Sequence, residues 1–259
     1  VFPEDPAVDS IVANGNEAGK PLSHLLQAWG IVSPFPLLIK MIEAWQVLSV
    51  QNHPTEIQQE SKPIPGKTEA WYILSAVPGA GVYKGFLRDT CETEVRTLIQ
   101  ENRITEILQW IPVQAGDFIY VPAGTIHAID QGVMLLEVQQ RTQITYRVYD
   151  WGRLGENHQP RELHLEKALA VMNYHQEKQL KTIPLEQEPF QCPYFQVKKK
   201  TLESTSLKIQ TQQDWIILFQ ISGNSVLGNH LKINAGQTIF IPHSEIEIQG
   251  NGTFLEISL

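Results

Sequence analysis

Four residues of this sequence are candidate ligands for one divalent cation. Gln51 and His53 are two residues apart in LSVQNHP, so both side chains point to the same face of a strand. Glu69 lies in a second apolar run, GKTEAWYIL, and His127 follows the stretch AGDFIYVPAGT. Two imidazole nitrogens, a carboxylate and an amide oxygen suit a catalytic zinc ion with a position open for water or substrate. Each residue also has an alternative role when taken singly. His127 fits a structural histidine and His53 a loop residue before Pro54. Glu69 fits a solvated strand charge and Gln51 an amide that caps the backbone.

The segment 115–127 predicts a strand and a turn that together position His127. Phe118 and Tyr120 alternate with Ile119 and Val121, as in a strand with two apolar faces inside a barrel or sandwich. Pro122 ends the ladder because it has no N–H, and Ala123-Gly124 permits a tight turn. His127 is therefore expected just past a rigid corner.

Composition excludes several classes of function. The 259 residues carry a net charge of -8, so no basic field exists to attract nucleic acid or an anionic membrane. The two cysteines, Cys91 and Cys192, are far apart in sequence and form no CxxC motif, which favours a reducing cytosol and a cytoplasmic protein. No apolar run reaches the ~20 residues of a membrane span. The sequence begins with Val1, so we expect a trimmed or incomplete N-terminus.

The remaining elements are mostly strands with a few helices. Ser23 is the predicted N-cap of a short helix that stops at Gly30, and helical spacing recurs across 91–108. The segment 159–174 predicts an amphipathic helix with Leu165, Ala168, Leu169 and Met172 on its apolar face. A linker is predicted at 181–189, beyond which all segments are strand-like. We therefore predict domains 1–183 and 184–259.

A weak internal repeat relates the two predicted domains. The segment 111–129 aligns without gaps to 231–249, at an offset of 120 residues given by 235 − 115. Glu247 stands where His127 stands in the first copy, and the second half has only His230 and His243 as imidazoles. We expect the C-terminal domain to hold no metal. The alternative is that unrelated β-proteins reuse the same turn.

The sequence resembles the type I mannose-6-phosphate isomerases, in their short bacterial form within the cupin superfamily. The resemblance runs from about Ser10 to the C-terminus and rests on motifs that occur in the family's order: FPLLIKMIEA, LSVQNHP, GKTEAWYIL, AGDFIYVPAGTIHAI, LLEVQQ, TYRVYDWGR, RELHLEKAL, CPYF and AGQTIFIP. It implies a mainly β fold of two cupin-like jelly-roll domains with helices inserted in and between them. It also implies one Zn²⁺ per chain on Gln51, His53, Glu69 and His127.

The resemblance further implies an enzyme that interconverts mannose 6-phosphate and fructose 6-phosphate by proton transfer through an enediolate. Its catalytic arginine falls on Arg147 and a strand carboxylate for proton transfer on Glu137. Ser49 and Lys67 match the sugar-phosphate pocket. Lys67 and Arg153 are candidate phosphate holders, since cations match phosphate oxygens. The alternatives are that Glu137 only forms a salt bridge with Arg147 and that Arg153 belongs to a surface pair.

Three features depart from the family pattern. The N-terminal Trp-Gly-Gly and Trp-Glu segments are absent before VFPEDP, Gln143 stands near the place of an acidic residue, and Trp45 stands where short members commonly have lysine. These departures keep a second interpretation open, a non-catalytic metal-containing cupin that binds sugar phosphate. An iron-dependent dioxygenase is a third interpretation, but such cupins use more histidines. The sequence leaves monomer and homodimer open.

Overall fold

The computed structural model describes residues 9–31, 35–56, 64–155, 158–181, 184–210, 215–228, 231–242 and 244–259, without the side chains of 204 and 205. Strands dominate these residues, and all pairs of named strands are antiparallel. The helices are α1 (Leu22–Ala28), α2 (Glu92–Gln100) and α3 (Leu165–Val171), with 3-10 turns at Gly15–Glu17 and Ile104–Ile107. No described helix has the length and apolar character needed to cross a membrane.

The chain forms two compact units. The central unit is Leu37–Thr182, and the terminal unit combines Val1–Pro36 with Ile183–Leu259. The predicted domain 1–183 included Val1–Pro36, whereas in the structure Val1–Pro36 groups with the C-terminal residues. Its aromatic side chains explain why, because Trp29 stacks on Phe240 with centroids 6.0 Å apart and Phe35 packs on Trp215 at 4.5 Å. Residues 182 and 183 of the predicted linker lie outside the described ranges.

The central unit has nine described strands in two sheets. They are β1 (Leu37–Glu43), β2 (Val50–Asn52), β3 (Glu69–Ala76), β4 (Gly81–Phe86), β5 (Leu108–Pro112), β6 (Phe118–Val121), β7 (His127–Ile129), β8 (Val133–Gln140) and β9 (Tyr146–Tyr149). One sheet has the order β1-β8-β3-β6 and the other β5-β4-β7-β2-β9. Trp71 and Ile119 from the first sheet pack with Val82 and Ile129 from the second, so one core lies between the sheets. This arrangement confirms the predicted cupin-like β fold.

The inserted helices cover the outer face of the five-stranded sheet. Val95 and Leu98 of α2 and Leu169 of α3 pack in one cluster with Ala128 and Val148 of that sheet. Helical spacing in 91–108 therefore predicted real helical turns, although Leu108 already begins β5.

Two predictions about helix ends are wrong. Ser23 lies inside α1, whose N-cap is Pro21, and its hydroxyl donates to the Asp9 carboxylate instead. The helix predicted at 159–174 spans only Leu165–Val171. Residues before it use their backbone to bind β9, since the Glu162 carbonyl accepts from the Arg147 side chain and the His164 N–H donates to the Arg147 carbonyl.

The terminal unit is a second antiparallel β-structure. Its strands are β10 (Phe190–Gln191), β11 (Gln196–Gln210), β12 (Trp215–Leu227), β13 (Leu231–Asn234), β14 (Thr238–Pro242) and β15 (Glu245–Ser258). The order is β10-β11-β15-β12-β13, with β14 also paired to β12. Leu218, Ile241, Ile248 and Phe254 belong to its own buried core. The all-strand prediction for this half is therefore confirmed for the described residues.

The internal repeat is visible in matching hydrogen bonds. The Gly116 N–H donates to the Ile73 carbonyl at 2.9 Å, and 120 residues later the Gly236 N–H donates to the Gln220 carbonyl at 2.8 Å. The Asp117 carboxylate accepts from the N–H three residues before it at 2.9 Å, and the Gln237 amide oxygen does the same at 2.7 Å. The turn before each strand is thus built in the same way.

Strand pairing extends the repeat to the ligand positions. Glu69 pairs with Val121, and Ile216 pairs with Ile241, which is Val121 plus 120. Ile216 in the terminal unit therefore stands at the position of Glu69. Glu247 stands at the position of His127, whereas His230 and His243 lie outside the described residues.

Candidate metal centre and active site

Three of the predicted ligands converge between the two sheets of the central unit. His53, Glu69 and His127 each offer one ligand atom, and these atoms all lie within 4.8 Å of one another. Glu69 Oε2 lies 3.4 Å from His53 Nε2, and the other carboxylate oxygen, Oε1, lies 3.5 Å from His127 Nε2. Atoms that each bind one zinc ion tetrahedrally at ~2.0–2.1 Å stand about 3.3–3.4 Å apart. The observed spacing fits one small divalent ion.

Strand pairing brings the second-sheet residues into one row. Gln51 of β2 lies opposite His127 of β7 on one side and Arg147 of β9 on the other. Lys84 of β4 extends the row beyond His127. Directly paired residues on antiparallel strands project from the same face, so the row faces Glu69 across the space between the sheets.

The corner before His127 has the structure that the sequence predicts. β6 ends before Pro122, and Gly124 takes a φ of +85°, in the left-handed region that favours glycine. The Gly124 N–H donates to the His53 carbonyl at 2.7 Å. One hydrogen bond therefore connects the backbones that carry the two histidines.

Each histidine is oriented by a hydrogen bond from its other ring nitrogen. His53 Nδ1 lies 2.9 Å from the Ile144 carbonyl, and His127 Nδ1 lies 2.8 Å from the Thr125 carbonyl. A carbonyl only accepts, so both Nδ1 atoms carry the proton and both Nε2 atoms are unprotonated, each with a lone pair. This is the tautomer that binds a metal through Nε2.

Burial and neighbouring charges favour the protonation states in which His53, His127 and Glu69 can bind a metal ion. Burial lowers the pKa of His53 to about 4 and also lowers the pKa of His127, so both imidazoles are neutral near pH 7. Burial alone would raise the pKa of Glu69, but Lys67 and His53 outweigh it and hold that pKa well below its usual value. The centre thus offers two neutral nitrogens and one carboxylate.

Lys67 places a cation at the centre of the site. Its Nζ lies 2.9 Å from His53 Nε2 and 2.9 Å from Glu69 Oε2. Although that pair is close, Glu69 Oε2 is buried and lacks a well-formed hydrogen bond among the described residues. This carboxylate oxygen lies next to two unprotonated imidazole nitrogens, and together these atoms form a donor set that suits a divalent cation. The residues present therefore fit a metal ion.

Gln51 and Ser49 border the triad. The Gln51 Nε2 atom lies 3.4 Å from His127 Nε2, so a half-turn of the amide would bring its oxygen to the same place. The Ser49 hydroxyl donates to Gln51 Oε1 at 3.4 Å and is buried. Both predicted residues are adjacent to the three candidate ligands, and Gln51 is the candidate for a fourth ligand.

Glu137 lies on the same face of its sheet as Glu69, but its partner is not the predicted one. It forms an ion pair with Lys40 at 2.9 Å, and it is directly opposite Lys40 in the β1–β8 ladder. The alternative that the sequence left open, a salt bridge between Glu137 and Arg147, is not formed among the described residues, because β8 and β9 belong to different sheets.

Arg147 has unused hydrogen-bonding capacity. Its Nη1 donates to the Glu162 carbonyl at 2.8 Å, whereas its buried Nε has no hydrogen-bond partner among the described residues. Burial lowers the pKa of this guanidinium, and Arg161 and Arg153 lower it further against an opposing effect of Asp150. The arginine is therefore held in place with a donor left for another group.

Two further arginines converge on one buried carboxylate near Arg147. Arg153 and Arg161 both donate to Asp150, and Arg161 does so through two nitrogens. Burial would raise the pKa of Asp150, but these two guanidinium groups hold it below its usual value. With Arg147 there are three cations here against two anions, Asp150 and Glu162, which leaves a net positive charge at this end of β9.

Sequence reasoning missed Lys40, Asp150 and Arg161. Lys40 stands in an otherwise apolar run, PLLIKMIEA, and an interrupting charge on a predicted strand is a usable signal. Asp150 and Arg161 have no comparable local signal, because their pairing depends on how residues after β9 fold back on it.

Comparison with known proteins identifies similar chains. No family model matches the sequence. The mannose-6-phosphate isomerase ManA of Bacillus subtilis is 34% identical over 262 residues, which cover 93% of this chain and 82% of the relative. The mannose-6-phosphate isomerase of Streptococcus mutans is 42% identical over 170 residues, 63% of this chain and 54% of the relative. The crystal structure of the Bacillus subtilis mannose 6-phosphate isomerase superposes with a TM-score of 0.85 at 28% identity, covering 98% of this chain and 87% of that one.

Proposed function

Because this chain belongs to the mannose-6-phosphate isomerase family, it is an aldose–ketose isomerase, and we propose the roles of its residues in converting mannose 6-phosphate to fructose 6-phosphate. The convergence of His53, Glu69 and His127 at metal-binding distances carries the proposal. Gln51 completes the ligand set. The ion that suits these nitrogen and oxygen ligands is zinc, one per chain, acting as a Lewis acid towards substrate oxygen.

Glu137 is the proposed general base for proton transfer between C1 and C2. It is 4% exposed and shares its sheet face with Glu69, so a sugar bound between the sheets meets its carboxylate away from bulk water. The ion pair with Lys40 keeps the carboxylate from turning away. Glu137 is therefore both positioned and shielded.

Arg147 is the proposed stabiliser of charge that develops on substrate oxygen in the enediolate. Its unpartnered Nε and its place beside Gln51 in the row support this role. Donors fixed before the reaction stabilise developing charge most where water is excluded.

Arg153 and Lys67 are the proposed contacts for the anionic substrate, with Ser49 donating to the sugar. The net positive charge around Asp150 supports Arg153 in this role, and Arg161 adds to the same field. Lys67 is 4% exposed and already pairs with an anion, Glu69. We also propose a cytoplasmic location, supported by the two free cysteines, Cys91 and Cys192.

An isomerase assay on the full-length chain, combined with metal analysis of the same preparation, tests the proposal. We expect turnover of mannose 6-phosphate that a chelator abolishes and that added Zn²⁺ restores. A preparation that holds one zinc ion per chain and binds sugar phosphate without turnover would instead establish the non-catalytic binding protein.

A further inference from the structure

Lys84 is a buried cation that the proposed reaction does not use. It is 2% exposed and lies opposite His127 in the β4–β7 ladder. Its Nζ donates to the Gln179 carbonyl and lies 3.4 Å from the Glu177 carboxylate. Because a buried charge is tolerated only when it is paired and hydrogen-bonded, these contacts hold the chain around Glu177 against β4.

Glu177 belongs to a segment that crosses the central unit from the last residue of α3 onward. We call this segment, 171–181, the strap. Its Asn173 N–H donates to the Gly124 carbonyl at 2.9 Å, and its Glu177 N–H donates to the Phe86 carbonyl at 2.9 Å. At its end Lys181 pairs with Asp117 at 2.6 Å. The strap is therefore anchored at several points along its length.

Two glycines allow the strap to lie directly on the backbone beneath it. A Cβ at Gly85 would stand 2.4 Å from the Glu177 Cβ, and a Cβ at Gly124 would stand 2.9 Å from the Val171 carbonyl oxygen. Both positions also have positive φ, +70° and +85°. No larger residue fits at either place while the strap stays where it is.

The same two glycines hold the corner 122–126 that precedes His127. The Gly124 N–H donates to the His53 carbonyl at 2.7 Å, and the Gly85 N–H donates to the Ile126 carbonyl at 2.7 Å. The Thr125 carbonyl in this corner accepts from His127 Nδ1. A shift of the strap would thus be transmitted to the backbone behind both metal-binding histidines.

We propose that Lys84 and Glu177 are positioning residues, whose ion pair clamps the strap onto the corner 122–126 and so sets the spacing of His53 and His127. The inference rests on the proposed metal site and adds a second layer of residues to it. Residues that orient metal ligands typically contribute 10- to 100-fold to metal affinity, and we expect a loss of about that size when the clamp is removed.

The test measures Zn²⁺ affinity of the full chain by competition with a chromophoric chelator, without substrate. Lys84→Met and Glu177→Gln should each weaken binding about 10-fold or more. Lys178→Met is the matched control, because it removes an exposed positive charge from the same strap without touching β4, and its affinity should equal that of the wild type. If Lys84→Met fails to fold, the half-buried Glu177 provides the deciding variant.

Hydrogen exchange on the metal-free proteins supplies a readout that needs neither zinc nor activity. The amides of Gly85 and Gly124 should exchange faster in both clamp variants, while β12 and β15 keep wild-type protection. Folded clamp variants with wild-type zinc affinity and wild-type protection at Gly124 would overturn the inference. A wild-type chain that binds no zinc would overturn the metal site as well, so the two failures are distinguishable.

Discussion

Arg147 is placed where loss of its side chain should affect turnover more than folding. It is half-buried, its Nε has no hydrogen-bond partner in the described part of the chain, and its Nη1 donates to the Glu162 carbonyl. Its neighbour across the strand pair is Gln51, so it lies beside the metal ligands without being one.

We predict that Arg147→Ala lowers kcat about 10²-fold or more, with zinc content unchanged. Arg147→Lys keeps the charge but loses the planar fork, so it should also be severely impaired. Steady-state kinetics and metal analysis measure both effects, and Arg103→Ala, an exposed arginine, is the control. A wild-type kcat in folded, metal-loaded Arg147→Ala would refute the assignment.

His53 gives the metal-free protein a predicted pH dependence of stability. Its pKa falls to about 4 on burial, whereas in the unfolded chain it titrates near ~6.5. Between these values the unfolded state binds more protons, so the free energy of unfolding decreases as pH falls from about 6.5 to about 4 and is fully retained above that window. The lost stability is up to about 3 kcal/mol.

Urea unfolding at a series of pH values, with chelator present, measures this effect. His53→Gln should flatten the dependence across the window, because the depressed titration is removed. His175→Gln, which changes an exposed histidine, should leave it as in the wild type. Identical slopes for His53→Gln and wild type would contradict the prediction.

At the scale of elements, the turn between β6 and β7 is the most constrained part of the site. Gly124 combines a positive φ with a backbone oxygen 2.9 Å from where its Cβ would be. Gly79 has nearly the same φ, +86°, but nothing lies within 4 Å of its Cβ position.

We therefore predict that Gly124→Ala loses more stability and more zinc affinity than Gly79→Ala. The backbone strain of the left-handed region, about 1–2 kcal/mol, is common to both variants. Only Gly124→Ala also pushes the strap away from the corner behind His127. Denaturant unfolding and zinc competition give the comparison, and equal losses in the two variants would mean that the Val171 contact is unimportant.

At the scale of the whole molecule, the two units use one turn design but differ at the ligand positions. Ile216 stands in place of Glu69 and Glu247 in place of His127. The described residues of the terminal unit therefore do not repeat the carboxylate and the imidazole that stand at these two positions of the central unit.

We predict that zinc titration saturates at one equivalent per chain. His127→Ala should lose this ion while keeping its fold, because a smaller side chain leaves the corner backbone intact. Glu247→Ala changes the equivalent position of the repeat and should keep one equivalent. Stoichiometric zinc retained by His127→Ala would place the metal elsewhere in the chain.

The sequence alone predicted most strands, the repeat and the three side chains, His53, Glu69 and His127, that the fold brings together. Successive side chains of 118–121 point to opposite faces, so their pattern predicts a strand from local geometry alone. Pro122 and Gly124 predict the corner after it, because the φ angles open to a residue are also a local property. Gln51 and His53 share a face for the same reason. The choice of ligands follows from residue chemistry, which does not depend on the fold.

Only the tertiary structure decided which strands are neighbours and which charges pair. Glu137 pairs with Lys40 because β8 joins the β1 sheet while β9 joins β2, and no local pattern encodes that choice. Helical spacing in 159–174 was overridden in its first residues because their backbone hydrogen-bonds to β9. Such long-range contacts compete with local propensity and outweigh it when they bury more surface and satisfy more polar groups.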